Sequence, residues 1–410
     1  MSPEKKIELL APAGNFEKLE LAIHYGADAL YLGGEAFSLR NYAGNFSLDN
    51  MRDAVSIAHQ NKVKVYVACN VYARNSEQPD IVAYLEKLGD IAPDAVIIAD
   101  PGVFMTAGEI IPHIPVHLST QANTTNYRSV LFWEKLGIKR INVARELSLK
   151  EIGEISAQTS LEIEAFAHGA MCIAYSGRCL LSSYMVGRDS NRGDCAHSCR
   201  WSYAVSEAYR PDQYMPLEED DRGSYIFSSK DLCMIEHVDE MIESGIVSLK
   251  IEGRMKGINY LASTVKVYRE AIDAYYDSPK DYRVRKEWIE ALSHVNYRGF
   301  CTGFYLGDPN QVIPNYAGSR PQTGNRFIGK VKQIIGPGVI DVEVRNKMYA
   351  GDPIEILKQK GPVELSSIED IRDDEGQSIP FAQPGSRVTL TLSGECAPND
   401  LIRRVTPVSA

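Results

Sequence analysis

The sequence predicts a (β/α)8 barrel of the TIM type, followed by a small antiparallel β-barrel. Over the first 280 residues, eight short apolar runs alternate with amphipathic segments, an order that is typical of a parallel sheet covered by helices. Eight is also the number of strands that closes such a sheet into a barrel. From Arg326 onward the hydrophobic pattern changes to period two, which indicates short antiparallel strands.

The barrel strands are predicted from apolar runs that each end in a turn or a polar residue. They are Ile7–Ala11, Ala29–Leu32, Lys64–Ala68, Ala95–Ala99, Val116–Ser119, Arg140–Ala144, Glu162–Phe166 and Ser248–Glu252. Asn15 can cap a helix over Phe16–Tyr25, and a second helix is expected over Ser47–Gln60. The alternative fold, an open doubly wound sheet, would be expected to have a glycine-rich phosphate turn after its first strand. The residues there are Ala11-Pro-Ala-Gly14, which do not match that turn.

Three regions follow from these patterns. The barrel is assigned to residues 1–280, with a last helix over Tyr260–Tyr276 and a cysteine-rich insertion at 170–245 after the seventh strand. Residues 281–325 form a connection, with a helix over Asp281–Leu292 followed by a run rich in glycine and aromatic residues. Residues 326–410 form the small β-barrel, with strands predicted at Phe327–Val331, Val339–Val344, Asp352–Leu357 and Arg387–Leu392.

Composition restricts the class of protein. A content of 44% hydrophobic and 24% charged residues is ordinary for a soluble globular chain, and no apolar run approaches the ~20 residues that span a bilayer. The net charge of -10 argues against a generally basic coat for nucleic acid, although a local basic groove remains compatible with it. Because Met1–Ile7 does not resemble a secretory signal and the chain has eight cysteines, we expect a reducing cytoplasm.

Four of the eight cysteines lie close together in the insertion, and a fifth follows these four: Cys172, Cys179, Cys195, Cys199 and Cys233. A disulfide framework requires an oxidising compartment and is not expected. Structural zinc sites usually contain paired Cys-x2-4-Cys knuckles, whereas the first two thiols here are six residues apart. Thiolates spread along a chain also suit an iron-sulfur cluster. The spacing therefore leaves three interpretations: a cluster, a zinc site, or inert buried thiols.

The residues around these cysteines resemble the signature of the collagenase-like proteins of peptidase family U32. The matching residues are Glu164-x-Phe166-x-x-Gly169-Ala170-Met171-Cys172, followed by Gly177-x-Cys179-x-Leu181-Ser182. The resemblance extends from Glu8-Leu-Leu-Ala-Pro-Ala-Gly14 through Lys250-Ile-Glu-Gly-Arg254 to the end of the chain. The chain resembles in particular the branch that includes prephenate-dependent tRNA uridine hydroxylation proteins.

This resemblance implies a 4Fe-4S cluster, because related proteins that act in RNA and ubiquinone hydroxylation hold one on four cysteines. Carried over by position, the ligands are Cys172, Cys179, Cys195 and Cys233, with Cys199 as the rival for the fourth place. The resemblance also implies tRNA as a partner and prephenate, a small dicarboxylate, as cosubstrate. A protein partner of the same family is compatible with it.

Polar residues at the C-terminal ends of the strands are the candidates for an active site, because chemistry in (β/α)8 enzymes takes place there. The predicted catalytic residues are Lys250, Glu252, Glu146 and His168. The predicted substrate-binding residues are Arg145, Arg254, Asn70, Gln121 and Glu35. Arg254 lies on a tight turn, where its guanidinium can bind a carboxylate through two hydrogen bonds. The alternative role for each residue is a loop hydrogen bond or a buried ion pair in the barrel mouth.

Three functions compete. The first, implied by the resemblance, is hydroxylation at C5 of a tRNA wobble uridine. The second is a collagenase-type peptidase, although the sequence has no Gly-x-Ser-x-Gly elbow and no His-Glu-x-x-His pair. A Cys-His protease would need a free thiolate near His168. The third is a non-catalytic partner in a hydroxylation complex, with the cluster as an electron relay.

Overall fold

The structure is a computed structural model of the chain. It describes residues 6–38, 44–172, 174–192, 194–201, 219–220, 223–224, 230–295, 299–307 and 326–405. Much of the predicted insertion at 170–245 and of the predicted connection at 281–325 therefore lies outside the described residues. Within these ranges, no helix is long and apolar enough to cross a membrane.

The first part of the chain forms the predicted barrel. Its first seven strands are β1 (Glu8–Pro12), β2 (Ala29–Gly33), β3 (Lys64–Cys69), β4 (Ala95–Ile98), β5 (Val116–Leu118), β6 (Arg140–Asn142) and β7 (Glu162–Ala170). The insertion adds β8 (Glu219–Asp220), β9 (Gly223–Ser224) and β10 (Asp231–Cys233), and the eighth barrel strand is β11 (Ser248–Ile251). Neighbouring barrel strands are parallel, and β11 pairs with both β1 and β7. The sheet is thereby closed, which confirms the predicted fold class.

Helices cover the outside of the barrel. They are α1 (Phe16–His24), α2 (Leu48–Gln60), α3 (Gln78–Ile91), α4 (Pro101–Ile110), α5 (Tyr127–Lys135), α6 (Leu149–Ser156), α7 (Leu181–Val186), α8 (Val238–Glu243), α9 (Ile258–Asp277) and α10 (Lys286–Ser293). The predicted cap is present, since Asn15 Oδ1 accepts a hydrogen bond from Lys18 N at 2.9 Å. The helix predicted over Asp281–Leu292 begins later than expected, because a short 3-10 turn over Pro279–Asp281 precedes α10.

Strand β7 extends beyond the barrel and supports the insertion. Its last residues pair antiparallel with β10, placing Cys233 opposite His168. A short strand, β12 (Phe300–Cys301), then pairs with β10. The sequence pattern ended this strand at Phe166, so His168 lies within β7 rather than after it. The insertion therefore begins from a rigid extension of the barrel sheet.

The C-terminal region is a closed antiparallel barrel of six strands. The strands of this region are β13 (Arg326–Gly336), β14 (Val339–Val344), β15 (Met348–Tyr349), β16 (Pro353–Leu357), β17 (Glu364–Arg372), β18 (Phe381–Ala382), β19 (Arg387–Leu392) and β20 (Leu401–Arg404). The closed order is β13-β14-β19-β17-β16-β20, while β15 and β18 form a separate pair. The sequence analysis did not predict β17 or β20. The first is mostly polar and the second is four residues long, so neither shows a clear alternating pattern.

The two barrels pack together through α1 and α9. Arg403 of β20 is 1% exposed, and it donates to Asn259 Oδ1 at 2.8 Å and to Glu355 Oε1 at 3.2 Å. Tyr25 donates from its hydroxyl to the carbonyl oxygen of Leu357 at 2.7 Å. Buried hydrogen bonds of this kind fix the position of the small barrel relative to the helices.

Candidate active site

A cavity of about 200 Å3 lies at the C-terminal ends of the barrel strands, between the barrel mouth and the insertion. The predicted site residues that line it are Asn70, Gln121, Arg145, Glu146, Lys250, Glu252, Arg254, Cys172, Cys179, Cys195 and Cys199. This is the end of the barrel at which (β/α)8 enzymes bind their substrates. The fold thus brings most of the predicted residues into one place.

The loop from Cys172 to Cys179 is held against the barrel by polar contacts. Glu146 accepts a hydrogen bond from Ser176 N at 3.1 Å through Oε1. Gly177 has a φ of +71°, and a Cβ at this position would lie 2.4 Å from the carbonyl oxygen of Gln121. Only glycine combines this backbone conformation with so close an approach. Glu146 therefore positions the cysteine loop, and it also lines the cavity, where the sequence predicted a catalytic role for it.

Cys195 and Cys199 lie on a segment that is hydrogen-bonded to the segment of the first cysteine pair, Cys172 and Cys179. Ser182 is buried and its Oγ accepts a hydrogen bond from Ala196 N at 2.9 Å. The carbonyl oxygen of Cys179 accepts hydrogen bonds from Ser190 Oγ at 2.7 Å and from Asn191 Nδ2 at 2.8 Å. These contacts fold the two cysteine-bearing segments onto one another beside the cavity.

The arrangement of the thiols bears on which metal group they could hold. Four cysteines line the cavity, but no three His, Cys, Asp or Glu side chains of the described residues are grouped closely enough to hold a single metal ion. Tetrahedral zinc requires all of its ligands within about 2.3 Å of one point. In a 4Fe-4S cluster, by contrast, four thiolates share four irons.

Cys233, predicted as the fourth ligand, does not line the cavity. It is buried in β10 opposite His168. Burial raises the pKa of its thiol to about 12. Cys199 is the fourth cysteine at the cavity. The resemblance and the geometry thus indicate different residues for the fourth position.

Arg145 connects the cysteines with the barrel mouth. Its guanidinium lies 3.8 Å from the centre of the Phe166 ring, a cation–π contact that is strong when it is shielded from water. Its Nη1 donates to the carbonyl oxygen of Ala170 at 2.9 Å and lies 4.0 Å from Cys172 Sγ. Its Nε has no hydrogen-bond partner among the described residues. Arg145 can therefore interact with an anion in the cavity and with the Cys172 sulfur.

Lys250 forms a buried ion pair at the inner end of the cavity. Its Nζ lies 2.8 Å from Glu164 Oε1, and both side chains are almost fully buried. The same Glu164 oxygen accepts a hydrogen bond from Asn142 Nδ2 at 2.8 Å. The ammonium group also lies 4.6 Å from the centre of the Tyr31 ring. The Glu164 carboxylate thus pairs with the buried ammonium group.

A second layer of buried charge lies below this pair. Arg140 donates to Glu8 and Glu162, and its Nη1 lies 3.5 Å from Glu164 Oε2. Burial acts to raise the pKa of Glu8, but the adjacent Arg140 guanidinium lowers that pKa below its usual value overall. Charged groups inside a barrel are stable only when they are paired in this way.

Glu252 and Arg254 follow β11 and lie at the cavity, where the sequence predicted them. Tyr31 donates a hydrogen bond to Glu252 Oε2 at 3.3 Å. Arg254 is 2% exposed, and it donates to Ser38 Oγ at 2.8 Å and to Asn45 Oδ1. Both contacts orient the guanidinium in the barrel mouth, which fits the binding role predicted for Arg254.

Two predicted residues lie elsewhere and their roles are corrected. His168 is 1% exposed, does not line the cavity, and is surrounded by the rings of Tyr260, Tyr268 and Phe300. Burial lowers its pKa to about 3, so it is neutral and inaccessible to a substrate. Glu35 is exposed and is also absent from the cavity wall. The extension of β7 explains the error for His168, because that strand carries the residue past the mouth.

The sequence analysis gave no site role to Glu164, Asn142, Tyr31 or Phe166. A signal was present for Glu164, since it is the second acidic residue in the alternating run Glu162-Ile-Glu164. A charged residue at an inward position of a buried strand requires a partner of opposite charge. The barrel supplies one from the adjacent strand, where Lys250 pairs in register with Phe166.

Known protein families and individual relatives match nearly the whole chain. A model described as peptidase family U32 matches residues 14–313, and a model of the peptidase family U32 C-terminal domain matches residues 324–403. The match with the Bacillus subtilis protein named tRNA hydroxylation protein P1 is 40% identical over 402 residues, covering 98% of this chain and 95% of that protein.

Two further relatives show the range of names. The match with the Escherichia coli protein named tRNA hydroxylation protein P is 36% identical and covers 97% of this chain and 95% of that protein. The match with a protein of Porphyromonas gingivalis named collagenase is 31% identical and covers 97% of each chain. The names of the relatives thus include an RNA modification and a peptidase activity.

Proposed function

This chain belongs to peptidase family U32, and on that basis we propose that it is a tRNA-modifying enzyme that hydroxylates C5 of a wobble uridine, with prephenate as cosubstrate. Similarity over nearly the whole chain to proteins named tRNA hydroxylation proteins supports the RNA substrate. The structural observation that supports the proposal most is the single cavity, which cysteines and cationic side chains line together.

The thiols of the cavity would hold a 4Fe-4S cluster. Cys172, Cys179 and Cys195 belong to both candidate ligand sets, and the fourth ligand is Cys199 by geometry or Cys233 by resemblance. Such a cluster supplies one-electron redox chemistry when bound. The peptide N–H of His197 donates to Cys195 Sγ at 3.4 Å, and Arg145 lies beside Cys172. Hydrogen bonds of this kind to ligand sulfurs stabilise their negative charge.

The cationic side chains would bind the carboxylates of the cosubstrate. Arg145 follows β6, whereas Lys250 belongs to β11 and Arg254 to the turn after it, and all three line the same cavity. Glu164 pairs with Lys250 and also lies 3.5 Å from Arg140, whose charge Glu8 and Glu162 offset as well. A dicarboxylate needs two cationic groups in a site of low polarity, and such charge-assisted contacts are strong there.

Other residues of the cavity would orient the reactants and exclude water. Phe166 and Tyr31 present ring faces to the cations, and Asn70 and Gln121 present amides, joined by a 2.8 Å hydrogen bond. Glu252, oriented by the Tyr31 hydroxyl, is the carboxylate placed to accept or release a proton at the cavity. Positioning of this kind is a large part of catalytic rate enhancement.

Nucleoside composition tests the proposal directly. We expect tRNA from a strain lacking this protein to lack 5-hydroxyuridine and its derivatives, and the full chain supplied in trans to restore them. The Lys250→Met and Glu252→Gln variants should fail to restore them while retaining iron content. Unchanged hydroxyuridine in the deletion strain would overturn the proposal. Cleavage of denatured collagen by the purified protein would instead favour the peptidase function, and copurification of an obligate second subunit would favour the non-catalytic role.

Arg254 tests the binding of the cosubstrate. Arg254→Lys keeps the positive charge but cannot donate to Ser38, Asn45 and a carboxylate from one planar group. We expect prephenate binding to weaken by roughly 1–3 kcal/mol, the scale of a charge-assisted hydrogen bond, with unchanged cluster content. Calorimetric titration of prephenate into both proteins measures this. Equal affinities would show that Arg254 serves only to hold the loop that contains Ser38.

A further inference from the structure

The insertion presents an apolar surface to solvent next to the cavity. Its most exposed members are Tyr184 at 87%, Leu180 at 71% and Tyr175 at 62%. Met185, Val186 and Trp201 are also exposed, and we call these six residues the insertion rim. Large apolar side chains are seldom grouped on a surface without a partner.

Helix α7 shows that this exposure is built into the fold. In the run Leu181-Ser-Ser-Tyr-Met-Val186, the buried residue is Ser182, while Tyr184, Met185 and Val186 face solvent. The Ser182 hydroxyl is occupied by the peptide N–H of Ala196. A helix that packs for stability alone buries its apolar side. The reversed orientation of α7 therefore indicates a surface that is covered by something other than the described chain.

The rim adjoins the cavity. Tyr175 itself lines the cavity wall. Leu180 directly follows Cys179, and Trp201 lies two residues after Cys199, and both of these cysteines line the cavity. Tyr184 is one helical turn beyond Leu180, to whose carbonyl oxygen its peptide N–H donates at 2.9 Å. A molecule that reaches into the cavity from the insertion side must pass this rim.

One exposed cation of the segment is available to an anionic partner. Of the four arginines between Cys172 and Trp201, two are already paired with Asp194 and Glu77. Arg178 shares a turn with Tyr175, closed by a 3.0 Å hydrogen bond from Arg178 N to Tyr175 O. Arg178 is exposed and has no ion-pair partner among the described residues. An exposed ring beside an exposed guanidinium is a common platform for unpaired bases.

We propose that the insertion rim binds the single-stranded loop of an RNA by stacking its bases on Tyr175 and Tyr184 while Arg178 contacts the backbone. This deepens the proposed function, on which it rests, by assigning the loop-binding surface of that enzyme. A base that is to be modified has to leave its stack to enter the cavity. Rings at the cavity mouth offer its neighbours a replacement for the stacking that they lose.

The dissociation constant of a synthetic anticodon stem-loop RNA at fixed salt tests this surface. Tyr184→Ala should weaken binding on the order of tenfold, the size of one lost base–ring stack, whereas Tyr184→Phe, which keeps the ring, should bind like the wild type. Phe132→Ala is the matched control, because Phe132 of α5 is also an exposed ring, at 57%. A blunt duplex without a loop should bind the wild type and Tyr184→Ala equally. Iron content is measured on each sample to verify that the site is intact.

Other results would overturn the inference. Equal affinity of the wild type and Tyr184→Ala for the stem-loop would show that the insertion rim does not bind RNA. A change of sedimentation in Tyr184→Ala with unchanged RNA affinity would assign the rim to a protein partner instead. If hydroxyuridine is absent from the deletion strain but Tyr184→Ala binds RNA normally, only the inference fails. If hydroxyuridine is unchanged in the deletion strain, the proposed function fails, whatever the RNA affinity of Tyr184→Ala.

Discussion

His168 and Lys250 are both buried polar side chains on neighbouring strands, yet their surroundings give them different roles. Lys250 has a carboxylate at 2.8 Å, an adjacent ring face and access to the cavity. His168 has aromatic neighbours, and its Nε2 has no hydrogen-bond partner within the described part of the chain. The lysine is therefore paired at the cavity, whereas burial disfavours the charged form of the histidine.

The burial of His168 predicts a pH dependence of stability. Its folded pKa is about 3, against an ordinary value of 6.5, so between these values the unfolded chain binds a proton that the folded chain does not. Stability therefore falls as pH decreases through this range. His168→Phe, which fits among the surrounding rings, should reduce the loss between pH 7 and pH 5.5 by about 1 kcal/mol.

Urea unfolding of the wild type and His168→Phe at the two pH values measures this effect. A residual dependence is expected in the variant, because burial also lowers the pKa of His117 to about 3. An identical pH dependence in both proteins would show that folding does not lower the pKa of His168.

At the scale of elements, the site depends on how β7, β11 and the insertion meet. Gly169 of β7 has a φ of +112°, and a Cβ there would lie 2.3 Å from the carbonyl oxygen of Glu252. The close approach of the two strands sets the position of Glu252 beside the cavity. The loop from Cys172 to Cys179 then begins three residues further along.

Gly169→Ala should disturb this junction. The added methyl group meets backbone atoms, which cannot move aside as a flexible side chain can, in a conformation that already disfavours alanine. Gly137→Ala is the matched control, because Gly137 has a φ of +92° but open space around it. We expect the control to lose about 1 kcal/mol of stability and Gly169→Ala to lose clearly more, together with hydroxylation activity. Similar melting temperatures for both variants would contradict the close contact.

The insertion makes a prediction about iron. Cys172→Ala, Cys179→Ala and Cys195→Ala should each lose the cluster and reduce soluble yield, because metal–ligand bonds contribute to folding. Cys301→Ala and Cys396→Ala serve as controls, since neither residue lines the cavity, and they should keep wild-type iron. Iron and sulfide content and the visible spectrum of anaerobically purified protein are the measurements. A wild-type iron content in any of the first three variants would show that the replaced cysteine is not a cluster ligand.

Comparing Cys199→Ala with Cys233→Ala then decides the fourth ligand. Cavity geometry predicts that Cys199→Ala loses iron and that Cys233→Ala keeps it. The opposite result would assign Cys233, and its thiol would then have to leave the buried position it has beside His168.

At the scale of the whole molecule, the small barrel is joined to the large one by buried polar contacts. Arg403 and Glu355 are 1% and 6% exposed, and Arg403 also donates to Asn259 and Ser263 of α9. Lys330, likewise buried, lies 3.8 Å from Glu17 of α1. The interface is therefore specified by charge and hydrogen bonds as well as by apolar packing.

Arg403→Leu should weaken this interface strongly. It leaves Glu355 buried without its partner, a loss of about 3–5 kcal/mol. We expect the urea unfolding curve to shift to lower denaturant and the small barrel to become sensitive to protease. The double variant Arg403→Leu/Glu355→Leu should recover part of the loss, because it removes the unpaired carboxylate. No recovery would show that the contacts with α9 dominate.

The sequence by itself determined the order of the elements and the types of residue at the site. Apolar runs that alternate with amphipathic segments predicted the eight barrel strands, and cysteine spacing together with the strand-end rule predicted most residues that line the cavity. These features are local in sequence, which is why they can be read without coordinates.

Tertiary structure alone decided which of the candidates meet. Strand β7 extends past the mouth of the barrel, and this extension buries His168 and Cys233. The pairing of β11 with β7 brings Lys250 next to Glu164. The reversed orientation of α7, with Ser182 inside and Tyr184 outside, likewise depends on contacts with Ala196. Pairings between distant segments set burial and charge compensation, and these two quantities decide which polar groups can act.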